Sequence, residues 1–192
     1  MCKLSVDERN KLGNAVVYIA ANTHALSKTK LLKLLFLMEE YAVKKYHTPF
    51  LGLSYEVWQA GPVVKDVFID LSEQPVLLKD FVTTETENNA TYITPLTVFC
   101  DDEFSDDDMD VMDVILKRFG DKTATELVNY THRPGSAWHK VASKENLLEA
   151  FQSGLMNSSP FTIDFSEELS GCAVEYYKEQ LDFLLTTRGY RA

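Results

Sequence analysis

A run of apolar residues between Lys30 and Tyr46 constrains the fold of this chain more than any other stretch. A helix over this run has apolar side chains around most of its circumference: Leu31, Leu32, Leu34, Leu35, Phe36, Leu37, Met38 and Tyr41. Such a helix must be buried on several sides. We therefore predict a central helix, capped by Ser27 or Thr29, with the rest of the chain packed around it. Lys33 interrupts the run, and two roles are open to it. Either its stem packs on apolar neighbours while its ammonium reaches solvent or a carboxylate, or it helps to hold a partner.

The stretch from Leu53 to Val63 predicts a strand that ends in a sharp turn. Side chains alternate between two faces as far as Trp58, and Gly61 and Pro62 then stop the alternation. Because proline at the first position of a helix loses only an N–H that would be unpaired anyway, we predict that a helix begins there. Thr91–Thr94 predicts a second strand, and we expect it to pair with residues 53–58.

Side-chain caps mark the beginnings of further helices. Ser5 with Glu8, and Thr123 with Glu126, have the spacing of a capping box. The patterns together predict a mainly α fold with a small antiparallel β-sheet (α+β), folded as a single compact helical domain.

The C-terminal part of the chain is predicted to be an addition to that domain. Residues 1–156 form the main domain, and Asn157–Pro160 is the most linker-like stretch. Residues 157–192 then supply an extended segment and an amphipathic helix that begins at Ser166 and continues to about Thr187. We expect both to pack on the same domain.

The charge of the chain is acidic and unevenly distributed. The net charge is −10; residues 1–96 hold 10 basic and 11 acidic side chains, whereas residues 97–192 hold 9 and 18. An acidic surface repels phosphate backbones, so we expect no direct binding of nucleic acid. No secretory signal pattern and no apolar run long enough to span a bilayer is present, and three dispersed cysteines fit a reducing compartment. We therefore predict a cytoplasmic protein without a membrane partner.

An acidic run is the strongest charge feature, with eight carboxylates in the thirteen positions from Asp101 to Asp113. A calcium-binding helix-loop-helix would need a glycine in mid-loop, and none is present. We favour a helix capped by Ser105, whose positive N-terminal end accommodates the acidic side chains. The same face can also dock a basic partner, and its candidate residues are Asp101, Asp102, Glu103, Asp106, Asp107 and Asp108.

His132 and His139 raise the question of a metal site or a catalytic site. Neither has a Cys, Asp or Glu nearby at ligand spacing, and no nucleophile motif lies beside them. We therefore predict no enzymatic activity and no cofactor, and we expect His132 to bond a backbone carbonyl while Trp138 packs into the core near Trp58.

Three blocks of the sequence, taken in order, carry a resemblance to a known family. They are Lys30–Phe36, then Tyr55–Val63 with Phe68, then Glu126-Leu127 with Thr131-His132 and Trp138. The chain resembles the Panacea antitoxin domain, also described as SocA-like or as phage-associated GepA-like. One departure is that Ala137 precedes Trp138, where the family tends to have proline.

The resemblance implies an antitoxin of a toxin-antitoxin system, which binds and neutralises a toxin encoded next to it. Some relatives instead deliver the toxin to a protease as an adaptor. The family-motif residues, as scaffold or as partner-binding groups, are Lys33, Trp58, Gly61, Pro62, His132 and Trp138. The alternative is a phage-associated protein of another role, metal-dependent or enzymatic through His132 and His139.

Overall fold

The computed structural model describes residues 4–190, and most of that part is helical. The helices are α1 (Val6–Ala21), α2 (Lys28–Tyr46), α3 (Lys65–Asp70), α4 (Asp106–Phe119), α5 (Ala124–Thr131), α6 (Ala137–Lys144), α7 (Leu147–Gln152) and α8 (Cys172–Tyr190). The strands are β1 (Glu56–Trp58), β2 (Gly61–Val63), β3 (Val82–Glu87) and β4 (Ala90–Pro95). The predicted mainly α fold with a little antiparallel sheet is confirmed. No helix within residues 4–190 is both long enough and apolar enough to cross a membrane.

The predicted central helix is α2. Ser27 is its N-cap, and the hydroxyl accepts a hydrogen bond from the Lys30 N–H. Every residue from Lys30 to Glu40 is buried, and α1, α4, α5 and β2 pack against this helix. The apolar circumference seen in the sequence is thus covered on several sides, as expected.

The predicted caps are also confirmed. Ser5 with Glu8 and Thr123 with Glu126 form complete capping boxes, in which each side chain bonds the other residue's backbone N–H. Ser105 caps α4 in the same way with Asp108, and this helix buries its apolar face against α2. These three helices therefore begin where their own sequences specify.

The predicted helix start at Pro62 is wrong. The chain instead reverses through Gln59 and Ala60 into β2, so that Trp58 lies opposite Gly61 and Val57 opposite Pro62. Gly61 has a φ of +96°, which turns the chain back along β1 rather than forward into a helix. Pro62 then lies in an edge strand, where its missing N–H costs no ladder hydrogen bond. The helix begins only at Lys65, in α3.

The predicted sheet pairing is also wrong, because β4 pairs with β3. Thr91 lies opposite Thr86, and Asn88 and Asn89 form the turn between the strands with φ of 50° and 63°. Two consecutive residues with positive φ make the tight turn whose twist matches a hairpin. β4 therefore pairs with β3, its neighbour in the chain, and not with residues 53–58 as we predicted.

Residues 157–163 run antiparallel along the free edge of β1 and do not form a linker. The Val57 N–H donates to the Phe161 carbonyl (2.8 Å), and the Ile163 N–H donates to the Tyr55 carbonyl (2.9 Å). The Ser159 hydroxyl, itself buried, donates to the Val57 carbonyl (2.6 Å).

The last helix also differs from its predicted start. Phe165–Glu168 form a 3-10 turn, and α8 begins only at Cys172. The C-terminal segment still contributes to the core: Phe165 packs on Phe36 at 5.7 Å between ring centroids, and Tyr177 is buried.

Candidate functional site

The six family-motif residues come together around the β1–β2 hairpin. Lys33 projects from α2, Trp58 ends β1, and Gly61 and Pro62 form β2. His132 follows α5, and Trp138 lies in the first turn of α6. We call these six residues the motif cluster. Parts of α2, the β1–β2 hairpin, the end of α5 and the start of α6 meet there.

Lys33 joins α2 to the hairpin through a single hydrogen bond. Its side chain is 1% exposed, and Nζ donates to the Pro62 carbonyl at 2.8 Å. Within residues 4–190 no carboxylate lies at ion-pair distance from it, so the expectation that it reaches solvent or a carboxylate is wrong. Burial lowers its pKa to about 7. Because α2 is enclosed on several sides, the group within reach of the Lys33 ammonium is a neutral carbonyl.

Gly61 is packed against the same lysine. A Cβ atom at this position would lie 2.7 Å from Lys33 Cε and 2.9 Å from the hydroxyl oxygen of Thr131. A side chain at position 61 would therefore require Lys33 or Thr131 to move, and both are buried. The φ of +96° imposes the same requirement independently.

His132 stacks on Trp138, with ring centroids 3.8 Å apart and an angle of 21° between the rings. Its Nε2 is buried, and no described group lies within hydrogen-bond distance. Within residues 4–190 no side-chain hydrogen bond joins His132 to a backbone carbonyl, so that prediction is wrong. Burial, with the charge of Lys33 as a second cause, lowers the pKa of His132 to about 4. The imidazole is neutral at pH 7 and serves as a flat packing surface.

Trp138 ties α6 to the hairpin. It is 4% exposed, and its Nε1–H donates to the Trp58 carbonyl at 2.9 Å. The predicted packing of Trp138 near Trp58 is confirmed. Trp58 is half-buried, and its ring meets Phe68 of α3 edge-on at 5.0 Å.

The motif cluster has few groups suited to chemistry. Among the described residues, no three His, Cys, Asp or Glu side chains lie close enough together to hold a metal ion. The ring of His139 lies at hydrogen-bond distance from the Ser143 hydroxyl, with 3.4 Å between Nδ1 and Oγ. The geometry is that of a packed junction between helices and a hairpin.

The acidic residues lie in a different part of the molecule. Asp101, Asp102 and Glu103 precede α4, and Asp106, Asp107 and Asp108 form its first turn. Asp108 caps the helix and pairs with Lys11 at 2.9 Å. The other five side chains are exposed or half-exposed, and we call them the acidic face.

Glu39 is an important residue that sequence reasoning missed. It is 1% exposed, and its carboxylate accepts hydrogen bonds from the backbone N–H groups of Phe50, Leu51 and Gly52, at 2.9 to 3.2 Å. Burial raises its pKa to about 7, against the effect of those bonds. The sequence signal for this role was an acidic residue within a helix predicted to be buried, because a buried carboxylate needs hydrogen-bond donors. Glu39 fixes the loop that follows α2.

Comparison with known proteins gives one match. The model of the family described as "Antitoxin SocA-like, Panacea domain" matches residues 31–139, which is more than half of the chain and includes the whole motif cluster. No curated protein and no solved structure matches. The resemblance that the three sequence blocks carry is thereby confirmed: this chain belongs to the family of SocA-like antitoxins with a Panacea domain.

Proposed function

We propose that this protein is an antitoxin that binds a partner toxin and blocks the toxin's working surface. Membership of the SocA-like antitoxin family is the observation that carries this proposal. The protein acts as a folded binding surface and performs no catalysis of its own. Its place is the cytoplasm, where the exposed thiols of Cys100 and Cys172 stay reduced.

The burial of most of the motif cluster supports separate roles for the scaffold and for the exposed surface. Lys33, Gly61, Pro62 and Trp138 are buried, so a folded partner has no access to their side chains. Their contacts instead fix the hairpin against α2 and α6. These four residues thus maintain the fold, and the choice of toxin depends on other, exposed residues.

The acidic face is the best candidate for that exposed surface. Its five carboxylates project from one loop and one helix turn in the half of the chain with the net charge of −9. Toxins that act on RNA or nucleotides are often basic around their sites, and a basic site attracts an acidic surface. The same charge disfavours direct binding of nucleic acid by the antitoxin.

Co-expression with the product of the adjacent gene tests the proposal. We expect the neighbour alone to arrest growth, and we expect the antitoxin to restore growth and to co-purify with the toxin. The amount of toxin then separates two mechanisms: it stays constant if the antitoxin blocks the toxin, and it falls in a protease-dependent way if the antitoxin is an adaptor. A harmless neighbour, or a harmful one that is not rescued, contradicts the proposal.

A further inference from the structure

We propose that the toxin is held through an apolar cleft that adjoins the acidic face, and that the occupant is a basic amphipathic segment of the toxin. In that segment a large apolar side chain fills the cleft and neighbouring Lys or Arg side chains meet the acidic face. This inference rests on the proposed function and specifies the chemistry of the partner.

The cleft lies between α1, the loop after α2 and α8. It measures about 190 Å³, and its apolar wall includes Leu12, Phe50, Leu53, Phe183 and Leu184. Phe183 is 70% exposed although it lines the cleft, so a large aromatic surface faces water there. Glu39 fixes the opposite wall through the backbone of residues 50–52. The cleft therefore has one firmly held wall and one exposed aromatic edge.

The cleft and the acidic face are physically continuous. Phe104, within the acidic run, packs on Phe50 in the wall of the cleft at 6.4 Å between ring centroids. The Lys11 ammonium lies over both rings, at 5.5 and 5.7 Å, and Asp108 neutralises it. A second depression, lined by Glu103 and also by Leu184, extends the cleft toward the carboxylates. A ligand anchored by an apolar group in the cleft thus has acidic groups beside it.

The charges around the cleft indicate which kind of ligand it binds. Among the described residues that line the two depressions, Lys11 is the single basic one, and its charge is already paired. A second copy of this chain would bring another acidic face against the first, which like-charge repulsion opposes. The volume is below the roughly 300 Å³ at which sites for small molecules begin, and it suits one anchoring side chain. A basic amphipathic segment satisfies both the shape and the charge.

Synthetic peptides test this surface without knowledge of the toxin. The probe is a helical peptide of about 18 residues with Leu along one face and Lys elsewhere. One comparison peptide has Glu in place of Lys, and another has Ser in place of Leu. We expect only the Leu/Lys peptide to bind the full chain, as measured by fluorescence anisotropy. Equal binding of the Leu/Lys and Ser/Lys peptides would overturn the inference, because the cleft would then contribute nothing.

Variants of exposed apolar residues locate the binding site. We expect Phe183→Ser to weaken binding of the Leu/Lys peptide about tenfold, the loss that follows from failure to bury one large apolar side chain. Leu155→Ser is the matched control, because Leu155 is 83% exposed and does not line the cleft. Equal affinities of the two variants would overturn the inference.

The growth assay separates this inference from the proposed function. If wild-type antitoxin and Leu155→Ser rescue growth and Phe183→Ser does not, with all three equally abundant, the inference is supported. Rescue by Phe183→Ser with undiminished affinity for the toxin refutes the cleft and leaves the antitoxin function intact. Failure of the wild type to rescue refutes the proposed function, and the peptide measurements then decide the cleft alone.

Discussion

At the scale of single residues, Gly61 is where backbone conformation and packing impose the same choice of residue. We predict that Gly61→Ala lowers the free energy of unfolding by about 2 to 5 kcal/mol, from strain at positive φ and from overpacking against Lys33 and Thr131. Chemical denaturation measures this loss.

Gly135→Ala is the matched control for that change. Gly135 also has a positive φ, of 80°, but a Cβ there would meet no heavy atom within 4 Å. We expect Gly135→Ala to lower the free energy of unfolding by only about 1 to 2 kcal/mol, which is the cost of backbone strain at positive φ. Equal losses in the two variants would contradict the claim that the motif cluster depends on close packing at Gly61.

Lys33 should make stability depend on pH in an unusual direction. Burial lowers its pKa to about 7, whereas in the unfolded chain a lysine titrates near about 10.4. Between these values the unfolded state binds more protons, so the contribution of Lys33 to stability rises with pH. We predict that the free energy of unfolding of the wild type, minus that of Lys33→Met, increases by roughly 1 kcal/mol per pH unit from about pH 7 to about pH 10.

The comparison between two substituted lysines isolates this effect. Lys65 is exposed at the beginning of α3, so Lys65→Met should follow the wild type across the same pH range. Urea denaturation at several pH values gives both curves. A constant difference between the wild type and Lys33→Met would mean that the ammonium gains solvent or an acidic partner in the folded protein.

The roles of single residues were harder to predict than the identity of the motif residues. The order of the sequence blocks identified all six members of the motif cluster, but not the partner of Lys33 or the unpaired Nε2 of His132. The apolar pattern predicted that α2 is buried, but it did not predict that the Lys33 ammonium is buried with it. It does not show which carbonyl a hairpin 29 positions later brings within reach.

At the scale of elements, residues 157–163 act as an additional strand whose hydrogen bonds stabilise β1. We predict that Ser159→Ala lowers the free energy of unfolding by about 1 to 3 kcal/mol, because the Val57 carbonyl loses the Ser159 hydroxyl in a buried position. Ser158→Ala is the control, since Ser158 is exposed and adjacent. If thermal denaturation gave the two variants the same Tm, the segment would not be held as the structure has it.

Three helix caps that depend on nearby residues were predicted correctly, whereas strand pairing was not, and even the local pairing of β3 with β4 was missed. The caps Ser5, Ser105 and Thr123 need only residues three positions away. Gly-Pro, by contrast, is compatible with a helix start and with an edge strand, and only the approach of α2 and α5 decides between them. The serines and proline of residues 157–160 suggested a linker because their composition does not indicate the free edge of β1.

At the scale of the whole molecule, the chain separates a largely buried motif cluster from an acidic exterior. The motif cluster fixes α2, the hairpin and α6 to one another, whereas the acidic face lies on the loop before α4 and on its first turn. A surface that contributes little to the core can vary without loss of the fold.

The charge of the acidic face should act mainly on the rate of association with a basic toxin. Opposite charges steer the encounter over about a Debye length, which shrinks from roughly 14 Å to 4 Å between about 50 and about 500 mM salt. We predict that this change slows association with the adjacent-gene toxin by about tenfold or more.

Asp101→Asn with Asp102→Asn should reduce both the rate at low salt and its dependence on salt. Glu85→Gln with Glu87→Gln removes the same charge from the exposed strand β3, and it should leave the rate much closer to that of the wild type. Stopped-flow measurements on the three proteins give these rates, and a salt-independent wild-type rate would show that the toxin docks elsewhere or is not basic where it docks.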